Sequence, residues 1–253
     1  MRVLLLLLAF DGTGFAGWQR QKDDPTIQGV IESKLALMTG EAVTLHGAGR
    51  TDAGVHALGM TASFETGSTI PGLGFHRGLN SLLPSAIRVL EVSEKETGFH
   101  ARLNAKGKSY LYRLTAGGVG LPTERLYTHH LAQVPNLVKM RECLTLLVGE
   151  HDFSAFEATG SRDLGYPGGR GAVRTISRAD LHAGVGVPLP LTIELTGDGF
   201  LRHMVRNIVG TLMDVGRGKM TVADFAAVLA GRDRAAAGPT APARGLFLKE
   251  VYY

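Results

Sequence analysis

Asp52 is the residue whose type and setting best suit chemistry. It lies in the segment GAGRTDAGVHA (47–57), where Gly47, Gly49 and Gly54 allow tight backbone paths and bracket Arg50, Thr51 and Asp52. A carboxylate two residues from a guanidinium is favoured in its charged form, and a charged aspartate can act as a nucleophile or a base. The competing account is a structural turn in which Asp52 only bonds nearby backbone amides. A second group is the run KSYLYR (108–113), whose alternation puts Lys108, Tyr110 and Tyr112 on one face of a strand. A cation beside tyrosines on a sheet can stack a base and hold its phosphate; core tyrosines are the plainer account. A third is the pair Arg202 and Arg206, four apart and so on one side of an expected helix over 201–215. Gly12, Gly14 and Gly17 match the dinucleotide fingerprint, but WQRQKDDP (18–25) follows where that site needs a helix, so nucleotide binding is not expected.

The elements that must position these groups are legible in the apolar pattern. Residues 3–10 read as a buried strand: eight apolar residues are far short of the roughly 20 that span a membrane, and Asp11 with a glycine loop follows where a signal peptide would have a cleavage site. Thr26 is the expected N-cap of a helix carrying Ile27, Val30, Ile31, Leu35 and Met38 and ending at Gly40. Residues 42–47 look extended. Residues 60–65 alternate Met60, Ala62 and Phe64 with Thr61, Ser63 and Glu65, the pattern of a half-buried strand. A helix over 75–83 stops at Pro84, and 87–92 is a strand.

Beyond the tyrosine strand, a helix bearing Leu137, Met140, Arg141, Leu144, Leu147 and Val148 stops at Gly149. Strands near 173–182 and 190–196 follow, and a helix opens with a capping box from Thr221 to Asp224 and ends near Gly231. The strand 246–252 closes the chain. This order implies an α+β class, with antiparallel sheets carrying helices on one face, in two halves: 1–105 with the Asp52 loop, and 106–253 with the tyrosine strand and the arginine helix. Segments 159–171 and 235–242 are rich in glycine, or in alanine, glycine and proline, and read as mobile loops, either surface connections or substrate-facing.

Composition sets outer bounds. With 44% apolar and 20% charged residues among 253, the chain is an ordinary globular sequence and not a disordered or disulfide-built one. Cys143 has no partner for an internal disulfide, and the nine histidines show only the adjacent pair His129 and His130, so no metal site is expected. Nineteen arginines against eight lysines suit an anionic partner such as nucleic acid. The protein reads as soluble and cytoplasmic.

Nine ordered motifs together resemble the tRNA pseudouridine synthase A family. They are FDGTGFAGWQRQ from Phe10, GRTDAGVHA from Gly49, RGLNSLLP from Arg77, FHARLNA from Phe99, KSYLYR from Lys108, GEHDFSAF from Gly149, VRTI from Val173, FLRHMVRNIVG from Phe200 and GLFLKEVYY from Gly245. The resemblance spans nearly the whole chain. It implies two ferredoxin-like halves forming one extended, mainly antiparallel sheet with a central RNA-binding cleft, a homodimer, and no cofactor or metal. It implies isomerisation of uridine to pseudouridine at positions 38, 39 and 40 of the tRNA anticodon stem-loop. Asp52 would be catalytic, Tyr110 would stack on the target uracil, Arg206 would position and ionise Asp52, and Arg50 would hold the flipped nucleotide. The alternatives are a non-catalytic tRNA-binding protein of the same fold and a glycosidic hydrolase, the latter needing a second acid opposite Asp52. Glu157 stands where the family usually has a basic residue, Ala172 replaces a common proline, and the loop 159–171 is longer than usual, which places any departure in RNA contacts near that loop.

Overall fold

In the computed structural model, which describes residues 1–159 and 171–253, apolar runs and alternating segments settle into ten strands and five α-helices among the described residues. In chain order these are β1 (Arg2–Phe10), α1 (Ile27–Thr39), β2 (His46–Gly47), β3 (His56–Thr66), α2 (Gly72–Leu82), β4 (Ile87–Lys95) and β5 (Gly107–Ala116). There follow β6 (His129–Leu131), α3 (Leu137–Leu147), β7 (Gly149–Asp152), β8 (Val173–Ala183), β9 (Leu189–Gly197), α4 (Met204–Gly216), α5 (Val222–Gly231) and β10 (Leu246–Tyr252). The class is α+β with mainly antiparallel pairing. Two compact units result, Met1–Lys106 with Phe247–Tyr253, and Gly107–Leu246.

In the first unit the apolar run 3–10 becomes β1, antiparallel to β3 on one side and β4 on the other. Pairing on both sides gives most backbone polar groups of that run a partner, with Ala9 left out of the β3 ladder at a register shift. The outer side of β3 takes β2 in antiparallel and β10 in parallel, with Phe247 opposite His56 and Leu248 opposite Ala57. The closing strand, grouped at the sequence level with the second half, thus returns to the first unit from Phe247 onward.

The half-buried reading of β3 needs correction. Thr61 and Ser63 are buried like their apolar neighbours. Their face is covered by the chain end and by the segment around Ala101: the Tyr253 hydroxyl donates to the Ala101 carbonyl (2.8 Å) and accepts from Thr61, and Ser63 accepts the Ala101 N–H (2.9 Å).

α1 starts on Thr26, whose side chain accepts the Gly29 N–H, and stops at Gly40 with φ 72°. Its buried stripe is Ile27, Ile31 and Leu35, but Gln28 and Glu32 are buried too, and Val30 and Met38 only half so. Of residues 42–47 only His46 and Gly47 join a sheet, which leaves the backbone at Leu45 without a strand partner. Glu32 accepts the Leu45 N–H (2.9 Å) and Gln28 donates to its carbonyl (3.1 Å), so two polar side chains do what a ladder would have done.

The second unit orders its strands β6, β5, β9, β8, β7, all antiparallel except β6 against β5. α3 ends at Leu147, and its buried stripe runs through Cys143, while Arg141 turns aside to donate to the Leu181 carbonyl and exposed Val148 leaves the helix. α5 carries the expected capping box, with Thr221 and Asp224 bonding each other's backbone N–H groups. α4 is buried nearly all round and begins at Met204, three residues later than expected, because its cap His203 takes a left-handed φ of 62°. Arg202 therefore lies before the helix and does not pair with Arg206 at helical spacing.

Candidate active site

In the first unit, the Asp52 loop is clasped by the glycine segment after β1. Gly12 to Phe15 closes a turn, with the Phe15 N–H on the Gly12 carbonyl (3.0 Å), and no helix starts before Ile27, so the fingerprint glycines have no anion-binding helix end. Their role is close approach. A Cβ on Gly12 would lie 2.1 Å from the Val55 carbonyl oxygen, and one on Gly17 2.5 Å from that of Thr51. Across this contact the Trp18 N–H donates to the Thr51 carbonyl (3.1 Å), the Gly54 N–H to that of Phe15 (3.4 Å), and the Gly12 N–H to His56 Nδ1 (3.0 Å).

The Trp18 ring is buried over Gly47, where a Cβ would come within 2.5 Å of it. Asp52 and Val55 bound a turn closed by the Val55 N–H on the Asp52 carbonyl (3.1 Å), and Gly54 at its third position has φ 75°. The result is a rigid backbone that presents Asp52 half-buried beside exposed Arg50, while the Thr51 hydroxyl between them is buried without a hydrogen-bond partner among the described residues.

In the second unit, Tyr110 and Tyr112 share a face of β5 but not a role. Tyr112 is fully buried and its hydroxyl donates to the Pro242 carbonyl (2.7 Å); burial raises its phenol above the ordinary range, so it stays a donor. Tyr110 is buried to 8% exposure, with Phe200 edge-on at 4.9 Å. Arg206, half-buried on the first turn of α4, is tied to the main chain twice: its Nε donates to the Ala241 carbonyl (2.8 Å), and the Ala241 N–H donates to the Arg206 carbonyl (3.0 Å). The segment 235–242, expected to be mobile, is thus hydrogen-bonded into the unit. Near Tyr112, Arg244 donates to the Thr128 carbonyl (3.1 Å). Burial first, then Arg244, Arg217 and His130, push His129 down to about 4, so the positive charge there at neutral pH is that of arginine.

The predicted site residues therefore fall in two sets, Arg50 and Asp52 on one loop of the first unit, Tyr110 and Arg206 on β5 and α4 of the second. Sequence reasoning missed the Gly12 and Gly17 clasp, the Trp18 wedge and the Ala241 anchor. The fingerprint glycines were visible, but their partner loop lies about 40 residues on, and no sequence pattern marks a backbone carbonyl as an anchor. A cavity of about 750 Å³ in the second unit is lined by Arg202, His203, Asn207, Arg234 and Thr240 among others, and by none of Arg50, Asp52, Tyr110 and Arg206. Among the described residues no group of three His, Cys, Asp or Glu side chains could hold a metal ion, and no helix is long and apolar enough to cross a membrane.

Residues 7–104 and 144–253 match the family described as tRNA pseudouridine synthase. The chain belongs to that family. A tRNA pseudouridine synthase A 1 of Desulfotalea psychrophila is 51% identical over 253 residues, all of both chains. The tRNA pseudouridine synthase A of Acetivibrio thermocellus is 43% identical over the full length of both, and that of Lacticaseibacillus casei is 43% identical over 97% of each. Glu157, expected to mark a departure in RNA contacts, is only 7% exposed, in the interior of the second unit. Ala172 is buried, and residues 160–170 of the loop 159–171 lie outside the described residues.

Proposed function

We propose that the protein isomerises uridine to pseudouridine at positions 38, 39 and 40 of the tRNA anticodon stem-loop, as a cytoplasmic homodimer without cofactor. The observation that carries this reading is the match along the whole chain to proteins named tRNA pseudouridine synthase A. The rigid glycine-clasped loop supports Asp52 as the catalytic group. The target base must leave the stem, at a cost of a few kcal/mol. Stacking on Tyr110 and contacts from Arg50 to the flipped nucleotide offset that cost. Arg206 serves Asp52 as a positioning residue.

The N1–C1′ bond breaks, the uracil turns in the site, C5 bonds to C1′, the hydrogen on C5 leaves as a proton, and N1 gains one. Asp52 serves this as a nucleophile on C1′ or on the base, or as the base that starts glycal formation.

The test is tritium release from unmodified tRNA labelled at uridine C5, with the product mapped by sequence position. Release together with pseudouridine at 38–40 supports the reading. Tight binding without release identifies a tRNA-binding protein of this fold, and free uracil a hydrolase. Because arginine contacts to phosphates dominate, tRNA affinity is expected to fall at least about 10-fold between about 50 and 200 mM salt. A titration that is flat over that range counts against the arginine-rich surface as the RNA contact.

A further inference from the structure

We propose that Asn207, Arg234 and Thr240 form a positioning network that sets the side chain of Arg206 for catalysis; the proposal rests on the reading of Arg206 as the partner of Asp52. An arginine side chain has many rotamers, and ordering it carries an entropic cost that some anchor must offset. Here the anchor is the Ala241 carbonyl, which takes the Arg206 Nε–H at 2.8 Å. Ala241 belongs to the segment RAAAGPTAP (234–242), in which only Arg234 and Thr240 carry polar side chains. Asn207 and Thr211 of α4 and the segment's own Arg234 hold it in place.

Asn207, next to Arg206 on α4, is fully buried. Its Oδ1 accepts from Thr240 Oγ1 (2.6 Å) and Arg234 Nη2 (3.1 Å), and its Nδ2 donates to the Phe156 carbonyl (2.8 Å). Arg234 closes the segment on itself, with Nη1 donating to the Ala237 and Gly238 carbonyls and Nη2 also to Thr240. Thr211, one turn beyond Asn207, donates to the Asn207 carbonyl (2.8 Å) and accepts the Gly238 N–H (3.0 Å).

The segment lies so close to α4 that a Cβ on Gly210 would be 1.6 Å from the Pro239 carbonyl oxygen. Its far end, Pro242, receives the Tyr112 hydroxyl. A polar hub in a buried helix is an inefficient way to gain stability, since apolar side chains of like size would pack as well. It is an efficient way to fix one geometry, because each bond is directional and leaving one unmade is costly.

Thr240→Val keeps the shape and removes the hydroxyl; Thr240→Ser keeps the hydroxyl. In the Val variant, kcat for tritium release is expected to fall by about 10- to 100-fold, the range reached by about 1 Å of misplacement, with KM for tRNA within about 3-fold of wild type. The Ser variant should retain wild-type kcat. A second reading is independent of activity: hydrogen exchange of the Arg206 Nε–H, followed by NMR, should speed up in the Val variant and not in the Ser variant. Wild-type kcat in the Val variant, or unchanged exchange at Arg206, overturns the network. So does a lower Tm with kcat and KM both unmoved, the mark of a purely structural contact. If the wild type itself releases no tritium, the functional reading fails, and the exchange measurement alone still decides whether the network holds Arg206.

Discussion

Asp52→Asn is expected to lower the rate of tritium release by at least about 10³-fold while leaving tRNA affinity within a few-fold of wild type. Asparagine has nearly the same shape and can make most of the same hydrogen bonds, so the substitution removes charge and little else. The loop should survive it, because its fixed points are main-chain: the Thr51 carbonyl to Trp18, the Asp52 carbonyl to Val55, and the Gly54 N–H to Phe15. Each of the three chemical routes open to Asp52 needs the anion, whether it attacks C1′, attacks the base or removes a sugar proton. On the proposed reading affinity rests instead on arginine and on stacking, which the substitution does not touch. Release by the Asn variant at anything near the wild-type rate removes Asp52 from the mechanism. Lost binding together with lost release would assign the residue to holding RNA.

Some of this architecture was legible in the sequence because local pattern and tertiary demand agree. The run 3–10 is too apolar for anything but an interior strand, and β10 occupies the residues its pattern indicates. Thr26, Gly40 and Thr221 act at short range and could be read as caps directly. The Asp52 loop stood out because three glycines bracket an Arg-x-Asp triplet, a pattern that a structural turn would share.

What escaped was decided at long range. Alternation puts Tyr110 and Tyr112 on one face equally, and only a carbonyl 130 residues away shows that Tyr112 is committed to the core. α4 starts late because a histidine adopts a left-handed φ, a conformation its side chain does not announce. Segment 235–242 read as mobile from alanine, glycine and proline, yet small residues are also what let a segment lie flat on a helix, and the anchor to Arg206 is 35 residues away in sequence.

The second large effect is expected at Gly12. Gly12→Ala should destabilise the protein by about 1–3 kcal/mol, as inserting a methyl group into a filled space does, and should lower kcat by about 10- to 100-fold through displacement of the Asp52 loop. The obstacle is main-chain: the new Cβ would lie 2.1 Å from the oxygen and 2.7 Å from the carbon of the Val55 carbonyl, so no side-chain rotation relieves it. Either the 12–18 segment or the 51–55 loop must move, and in both cases the bonds from Gly12 to His56, Trp18 to Thr51 and Gly54 to Phe15 stretch together.

Gly14 is the control. It has φ 79°, and apart from Gly14 and its two chain neighbours no atom of the described residues lies within 4 Å of where its Cβ would stand, so Gly14→Ala should cost about 1–2 kcal/mol of left-handed strain and leave kcat near wild type. Thermal melting and tritium release on the two variants separate the accounts of this motif. A clasp on the catalytic loop makes Gly12 far more sensitive in kcat than Gly14, whereas a phosphate-binding turn would make the two comparably sensitive. Wild-type kcat in Gly12→Ala would show that the loop holds Asp52 in place without the glycine segment.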